Sequence, residues 1–175
     1  MCIRDRAPCD PASQAVLNYV ATYVVGTAPG PTESVLYNTY QAEMQAEFGF
    51  DPADNVFTEN AYDAVYAGAG GLVWAAHDAA TRSDGYYDGR QVAQGLLQVT
   101  SGEKRDVGLS GWLLIKSDLT GPEGKVDLQG VSGDLNFNSS GEVKAPIEIW
   151  RPKLECGDSG PCLEQVEIIP VDQLN

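Results

Sequence analysis

Three polar side chains at alternate positions, Asp134, Asn136 and Asn138, have the residue types and spacing of a calcium-binding loop. Such a loop also needs a glycine at its sixth position and a bidentate glutamate at its twelfth. Those positions hold Ser139 and Ala145 here. The loop therefore lacks the two residues on which its geometry depends most, and the sequence predicts polar residues beside a turn, without a metal site.

Two short segments resemble the catalytic segments of chymotrypsin-like serine proteases. "GDSGP" around Ser159 resembles the segment that carries the nucleophile, and "WAAHD" around His77 resembles the segment that carries the general base. However, His77 falls inside a predicted helix, and only 16 of the 175 residues follow Ser159, too few to complete that fold. A serine protease fragment is therefore kept as the alternative function, and labelling of Ser159 by a fluorophosphonate would reveal it.

Four cysteines, at positions 2, 9, 156 and 162, leave one pair close together. Turn-forming residues separate Cys156 from Cys162, so this short ring can close easily. The spacing favours a Cys156–Cys162 disulfide and an oxidising compartment, with two free thiols as the alternative. The ring would stabilise the fold by about 2 kcal/mol. A single histidine in the chain makes a zinc site improbable.

The acidic composition limits the partners of this chain. Its 25 acidic and 11 basic residues give a formal net charge of −14. Nucleic acids and anionic membranes both require basic patches, so the charge argues against either as a partner. No apolar run approaches the roughly 20 residues that would span a bilayer.

The first residues, "MCIRDRAPCD", contain no apolar stretch and do not form a signal peptide. Their composition also differs from that of the segment that follows. We expect residues 1–9 to be a non-native leader and the chain to be the C-terminal part of a longer protein. A genuine cytosolic N-terminus is the alternative.

The residue patterns predict a strand followed by helices. Val16 to Val25 is β-branched and aromatic, which predicts a buried strand that ends at the turn residues 26–31. Thr32 is the expected N-cap of the next helix and Gly49 its C-cap. The apolar stripe of that helix is Leu36, Tyr40, Met44 and Phe48.

A second helix is expected to begin at Thr58, as N-cap, with Glu59 in its first turn. It is apolar nearly all round, which predicts burial on more than one side. The residues expected to face inward are Ala61, Val65, Leu72, Val73 and Ala76. Its interior glycines (68, 70 and 71) predict very close packing against a neighbouring element.

The remaining elements are a third helix and a hairpin. Gln91 to Val99 has helical spacing, begins at Asp88 or Gly89, and turns Val92, Leu96 and Val99 inward. The segment "GLSGWLLIKSDL" leaves helix and strand undecided, and "KVDLQGVSG" predicts a strand. Residues 130–150 predict a hairpin that turns at 139–141, with Leu135 and Phe137 on an apolar face. Pro146 is expected at a sheet edge or at a kink. Residues 166–169 are expected to form a further strand.

Four segments, taken in order, resemble type I periplasmic solute-binding proteins. "GTAPG" is similar to a strand end that crosses between lobes. Residues 40–52 resemble the family's Tyr-x-x-x-Phe-Gly-x-x-Pro, with a longer gap between Tyr and Phe. "AYDAVY" at residues 61–66 resembles the family's Ala-Tyr-Asp-Ala-Val-Tyr. "GRQVAQGLLQVTS" resembles the helix that follows. "GVSGDLNFNSSG" resembles the closing signature Gly-x-x-Gly-x-Leu-x-Phe-Asp-x-x-Gly, with Asn138 where Asp is usual.

The resemblance implies an incomplete α/β fold of that family, a partial two-lobed Rossmann-like sandwich. Residues 10–31 would be a strand of lobe II and the crossover, residues 32–145 the C-terminal part of lobe I, and residues 146–175 the returning strand with an acidic tail. The strand at residues 16–25 is expected to pair with or neighbour Ile147–Trp150.

The resemblance also implies a function. Such a protein is the non-enzymatic, cofactor-free binding component of an ABC importer for amino acids or related small polar solutes, and its partners are the permease subunits. It would be periplasmic or otherwise extracytoplasmic, with a lipid anchor on a missing N-terminus as one form. Tyr62 and Glu59 are the candidate ligand contacts, because the N-terminus of their helix favours a ligand carboxylate. Most of the pocket is expected to lie outside residues 1–175.

Overall fold

The computed structural model describes residues 11–30, 34–54, 57–82, 85–154 and 162–173. The chain divides into two compact units, one formed by Met1–Pro31 with Pro146–Asn175 and the other by Thr32–Ala145. Each unit contains one three-stranded sheet. The α/β class predicted from the sequence is confirmed. The assignment of the units to two lobes of a binding protein stays a prediction.

The described residues form five α-helices and six strands. The helices are α1 (Pro11–Tyr23), α2 (Val35–Phe48), α3 (Thr58–Thr81), α4 (Gly89–Leu97) and α5 (Leu109–Leu119). The strands are β1 (Gly26–Pro29), β2 (Lys104–Asp106), β3 (Asp127–Gly130), β4 (Gly133–Asp134), β5 (Ile147–Lys153) and β6 (Cys162–Ile169).

The strand predicted at Val16–Val25 is wrong, because most of this segment belongs to helix α1. Polar side chains four residues apart carry the helical period: the Gln14 amide donates to Asn18 Oδ1 at 3.1 Å, and the Thr22 hydroxyl donates to the Asn18 carbonyl at 2.7 Å. The β-branched residues between them obscured this period. Val16 is 61% exposed, so the predicted burial of this residue is also wrong.

The strand of this first unit is β1, which begins just after the predicted segment. It pairs antiparallel with β5, from Gly26 opposite Trp150 to Pro29 opposite Ile147. β5 also pairs antiparallel with β6, so β5 is the central strand of the sheet. Pro146 lies at the entry to β5, where its carbonyl accepts a 2.7 Å hydrogen bond from the N–H of Gly30. The strand predicted at residues 166–169 is confirmed and extends back to Cys162.

The second unit contains a parallel pair, β2 with β3, and a tight hairpin, β3 with β4. This hairpin turns at Val131 and Ser132, so the predicted turn at 139–141 does not join the paired strands. A turn is nevertheless present there, since the side chain of Asn138 accepts hydrogen bonds from the backbone N–H groups of Ser140 and Glu142. Residues 135–138 and 142–146 flank this turn without sheet pairing.

The helix boundaries follow the capping residues closely. Gly49 ends α2 in the left-handed conformation, with φ of 63°, as predicted. The N-cap of α2 is Ser34, whose hydroxyl accepts a hydrogen bond from the N–H of Tyr37; the predicted cap, residue 32, lies outside the described residues. Helix α4 begins at Gly89, one of the two predicted starts, and Asp88 caps it in a capping box with Gln91.

Four of the five residues predicted to face inward on α3 are exposed, whereas Val73 is partly buried and packs against the core of the unit. Val65 is 68% exposed and Leu72 is 45% exposed, and the alanines at 61 and 76 are exposed as well. The residues of α3 that are buried are Glu59, Asp63, Ala67, Gly70, Gly71, Ala75 and Ala79. Because α3 is apolar nearly all round, its period could not show which side meets the core.

Close packing of the α3 glycines is confirmed at two of the three positions. A Cβ at Gly70 would lie 3.0 Å from Val99, and a Cβ at Gly71 would lie 2.9 Å from the Val92 carbonyl. The third glycine, Gly68, faces open space. The two buried glycines therefore allow α3 to pack tightly in the second unit, whose core includes Tyr40, Val99, Ile115, Leu119, Val126, Leu128, Val131 and Leu135.

The Cys156–Cys162 disulfide stays a prediction. Cys162 is the first residue of β6. Its predicted partner, residue 156, lies outside the described residues.

Candidate functional site

The first half of α3 places its chemically active side chains on one side of the helix. Glu59, Tyr62, Asp63 and Tyr66 follow at helical spacings of three and four residues, which bring side chains onto a common face. Thr58 was predicted as the N-cap but is the first residue of the helix; the cap position is Phe57, with φ of 70° and no side-chain cap bond. A left-handed conformation is costly for a phenylalanine, by about 1–3 kcal/mol.

Asp63 is a buried carboxylate that holds the turn between β3 and β4. It is 2% exposed and accepts three hydrogen bonds: from the Val131 N–H at 2.9 Å, from the Ser132 N–H at 2.8 Å and from the Ser132 hydroxyl at 2.5 Å. Burial raises the pKa of Asp63, while the bonds from Ser132 and Val131 act in the opposite direction. The bonds join positions 68 and 69 residues apart, so Asp63 is a long-range staple within the second unit.

The approach of Asp63 to the hairpin depends on Gly130. A Cβ at Gly130 would lie 2.3 Å from Asp63 Oδ2 and 2.9 Å from the Gly133 carbonyl. Any other residue would therefore push the carboxylate out of its position. Gly130, the first glycine of the "GVSG" segment, is therefore required for the Asp63 carboxylate to reach the hairpin.

A chain of aromatic rings runs beside the staple. Successive ring centroids are 6.2, 4.8, 5.1 and 6.0 Å apart in the order Tyr37, Tyr40, Tyr62, Tyr66, Trp112. These separations are in the range of favourable tilted and edge-to-face contacts. Tyr40 is buried, whereas the other four rings are half-buried and keep part of their surface in solvent. These five rings form an aromatic strip that connects the core of the unit to solvent.

Burial and nearby carboxylates both act on these tyrosines. Burial, followed by contact with the Tyr66 hydroxyl, raises the pKa of Tyr62 well above its usual range. Burial, followed by the charges of Glu59 and Asp51, raises the pKa of Tyr37. The hydroxyls of both rings therefore remain protonated donors at neutral pH.

The charges around this strip are acidic. Glu59 is 8% exposed and accepts a 3.2 Å hydrogen bond from the Thr58 hydroxyl. The sequence contains no lysine or arginine between Arg6 and Arg82. Since Glu59 already places a carboxylate in the first turn of α3, the surroundings of Tyr62 favour a cationic or neutral ligand group over the carboxylate expected from the sequence.

The other residues singled out by the sequence do not form a second site among the described residues. His77 lies within α3 and is half-buried, and Ser159 lies outside the described residues. No group of three or more His, Cys, Asp or Glu side chains in the described ranges is placed to hold a metal ion. On β5 and β6, Arg151 and Lys153 both form ion pairs with Glu164, so the two cations share one carboxylate.

Searches for similarity add nothing to this picture, because no family model, curated protein or solved structure matches the chain. No helix in the described part of the chain is long and apolar enough to cross a membrane.

Proposed function

We propose that this chain belongs to the substrate-binding component of an ABC importer for amino acids or related small polar solutes, with a type I periplasmic-binding-protein fold. The observation that carries the proposal is the path of the chain. It leaves one α/β unit after residue 31 and returns after residue 145, and the departing strand β1 pairs with the returning strand β5. The resemblance of residues 26–30 and 147–150 to crossover strands anticipates a path of this kind.

Tyr62 and Glu59 are the ligand contacts in this proposal. Tyr62 offers a half-buried aromatic face, supported on either side by Tyr40 and Tyr66 at 4.8 and 5.1 Å. An aromatic face beside carboxylates attracts an ammonium group, typically by about 0.5–2 kcal/mol. Amino acids and their amides carry such a group, which agrees with the solute class of the resembled family.

The rest of the proposal follows from this role. The protein acts outside the cytoplasm, delivers its solute to permease subunits, uses no cofactor and turns over no substrate. The serine protease alternative would place catalysis at His77 and Ser159. Its distinguishing result is covalent labelling of Ser159, which a binding protein does not undergo.

Calorimetry tests the proposed function on the protein expressed from its complete reading frame. The panel contains amino acids, their amides, amines and short organic acids. At least one solute with an ammonium group is expected to bind with a Kd in the micromolar range, about −8 kcal/mol, with a negative heat-capacity change from apolar burial. Tyr62→Ala is expected to weaken this binding at least about tenfold, because it removes the aromatic face.

Tyr87→Ala is the matched control, since Tyr87 is an exposed tyrosine that precedes α4. Circular dichroism must show that both variants remain folded. Absence of heat with every solute of the panel, together with fluorophosphonate labelling of Ser159, would replace the binding function with the hydrolase. Equal loss of affinity in both variants would remove Tyr62 from the site.

A further inference from the structure

The exposed turn at residues 138–142 carries a motif that the proposed function does not use. Asn138, Ser139 and Ser140 form the sequence Asn-x-Ser, in which the asparagine accepts an N-linked glycan when the middle residue is not proline. No other Asn-x-Ser or Asn-x-Thr occurs in the 175-residue sequence. Whether so short a motif can accept a glycan is decided by the geometry around the asparagine nitrogen.

The amide oxygen of Asn138 is held by the turn itself. It accepts hydrogen bonds from the N–H of Ser140 at 2.8 Å and from the N–H of Glu142 at 3.0 Å. The first of these bonds closes an Asx turn. The amide nitrogen, Nδ2, donates to Glu142 Oε2 at 3.0 Å in an exposed contact. The turn therefore fixes the side chain through its oxygen and leaves the nitrogen, the atom that a glycan would join, in a solvent-accessible contact.

The motif is also accessible to an enzyme. Every residue from Asn138 to Glu142 is exposed, and residues 135–138 and 142–146 on either side belong to no strand. A modifying enzyme can therefore bind this segment without separating paired strands. The Ser140 hydroxyl, the second group that the motif requires, has no hydrogen-bond partner among the described residues and is available for recognition.

We propose that Asn138 is the acceptor of an N-linked glycan and that the folded turn is itself the substrate of an oligosaccharyltransferase. The donor is an oligosaccharide joined to a lipid through a diphosphate. Asn138 Nδ2 attacks C1 of the first sugar, so that the N–C1 bond forms and the C1–O bond to the lipid diphosphate breaks. The lipid diphosphate leaves, and one Nδ2 proton passes to a carboxylate of the transferase. Such enzymes act on the non-cytoplasmic side of a membrane, so this step rests on the extracytoplasmic location proposed above.

The turn keeps its structure when Nδ2 carries a sugar. Its backbone is closed by two bonds of 2.9 Å, from the Asn138 N–H to the Glu142 carbonyl and from the Gly141 N–H to the Asn138 carbonyl. A substituted amide retains its oxygen and one N–H, so the bonds that Ser140 and Glu142 donate to that oxygen are preserved. The modification therefore leaves the hydrogen bonds that define the turn in place.

Transfer in vitro to the folded 175-residue chain tests this proposal. The chain is incubated with a purified single-subunit oligosaccharyltransferase and a lipid-linked oligosaccharide, and intact-mass spectrometry with peptide mapping detects the product. One glycan is expected, on Asn138, and none in Asn138→Gln. The initial rate should at least equal that of a synthetic peptide of residues 134–144, because the turn is already formed in the folded chain. The assay contains no solute, so its failure would leave the solute-binding proposal untouched.

Ser140→Ala and Ser139→Ala are matched variants, because they make the same change at adjacent exposed positions. Ser140→Ala is expected to lower the transfer rate at least about a hundredfold, since a site built to bind a hydroxyl rejects the residue without it. Ser139→Ala should leave the rate unchanged, and circular dichroism should show both variants folded. Transfer to the peptide but not to the folded chain would overturn the proposal. A glycan that persists in Asn138→Gln, or equal rates in the two serine variants, would overturn it as well.

Discussion

Replacing Asp63 by alanine is expected to destabilise the second unit by about 3 kcal/mol or more. The substitution removes the acceptor of three hydrogen bonds and leaves the N–H groups of Val131 and Ser132 without it. An unsatisfied buried donor costs about 1–3 kcal/mol, and the Val131 N–H is such a donor; hydrogen bonds to a charged acceptor typically contribute about 1.5–3 kcal/mol. Urea unfolding followed by circular dichroism would measure the change in the free energy of unfolding.

Asp134→Ala is the control for this experiment. Asp134 is an exposed carboxylate in β4 of the same hairpin, so its removal should change the free energy of unfolding by less than about 0.5 kcal/mol. Asp63→Asn keeps the shape of the side chain and removes its charge. Its amide can accept through one oxygen only, so most of the loss should persist. Equal, small effects of Asp63→Ala and Asp134→Ala would show that the staple does not support the fold.

The same substitution, glycine to alanine, is expected to have opposite effects at two positions of the α3–α4 helix pair. A Cβ at Gly95 would lie 2.3 Å from the Gly71 carbonyl oxygen and 2.7 Å from its Cα, so Gly95→Ala must separate the helices. We expect a loss of about 3 kcal/mol, the upper end for overpacking. Gly68 has open space, so Gly68→Ala should gain about 0.5–1 kcal/mol from helix propensity alone.

Thermal unfolding at low protein concentration compares the two glycine variants directly. The predicted order of melting temperatures is Gly68→Ala, native chain, Gly95→Ala, from highest to lowest. Low concentration keeps any self-association out of the comparison. A stabilising Gly95→Ala would mean that α3 and α4 do not pack as closely as the Gly71–Gly95 contact requires.

Local signals in the sequence identified several elements correctly. Gly49 ends α2 as expected, and α4 begins at one of its two predicted starts, because residues at helix ends act on the backbone beside them. Helix α1 was missed because its β-branched and aromatic residues imitate a buried strand, while its helical period lies in side chains such as Gln14 and Asn18. The inward face of α3 is mispredicted for a similar reason. The helix is apolar nearly all round, so no contrast between polar and apolar residues shows which side is buried.

The candidate site was only partly accessible from the sequence. Tyr62 and Glu59 could be selected because they lie in the first turns of a recognisable helix. Asp63 was not selected, because its partners, Val131 and Ser132, are 68 and 69 residues away and no local pattern links them. The aromatic chain depends on α2, α3 and α5 together, so its continuity appears only in three dimensions.

The most direct measurement of the central claim is fluorine NMR, with 3-fluorotyrosine labelling, of the protein expressed from its complete reading frame; the eight tyrosines of residues 1–175 are among its labels. The sample is titrated with the solute that binds best in calorimetry. The proposed site predicts saturable shifts of the Tyr62 and Tyr66 resonances at one equivalent of ligand, with Tyr87 unchanged. Saturable shifts confined to other tyrosines, or none at any tyrosine, would contradict the assignment of solute binding to α3.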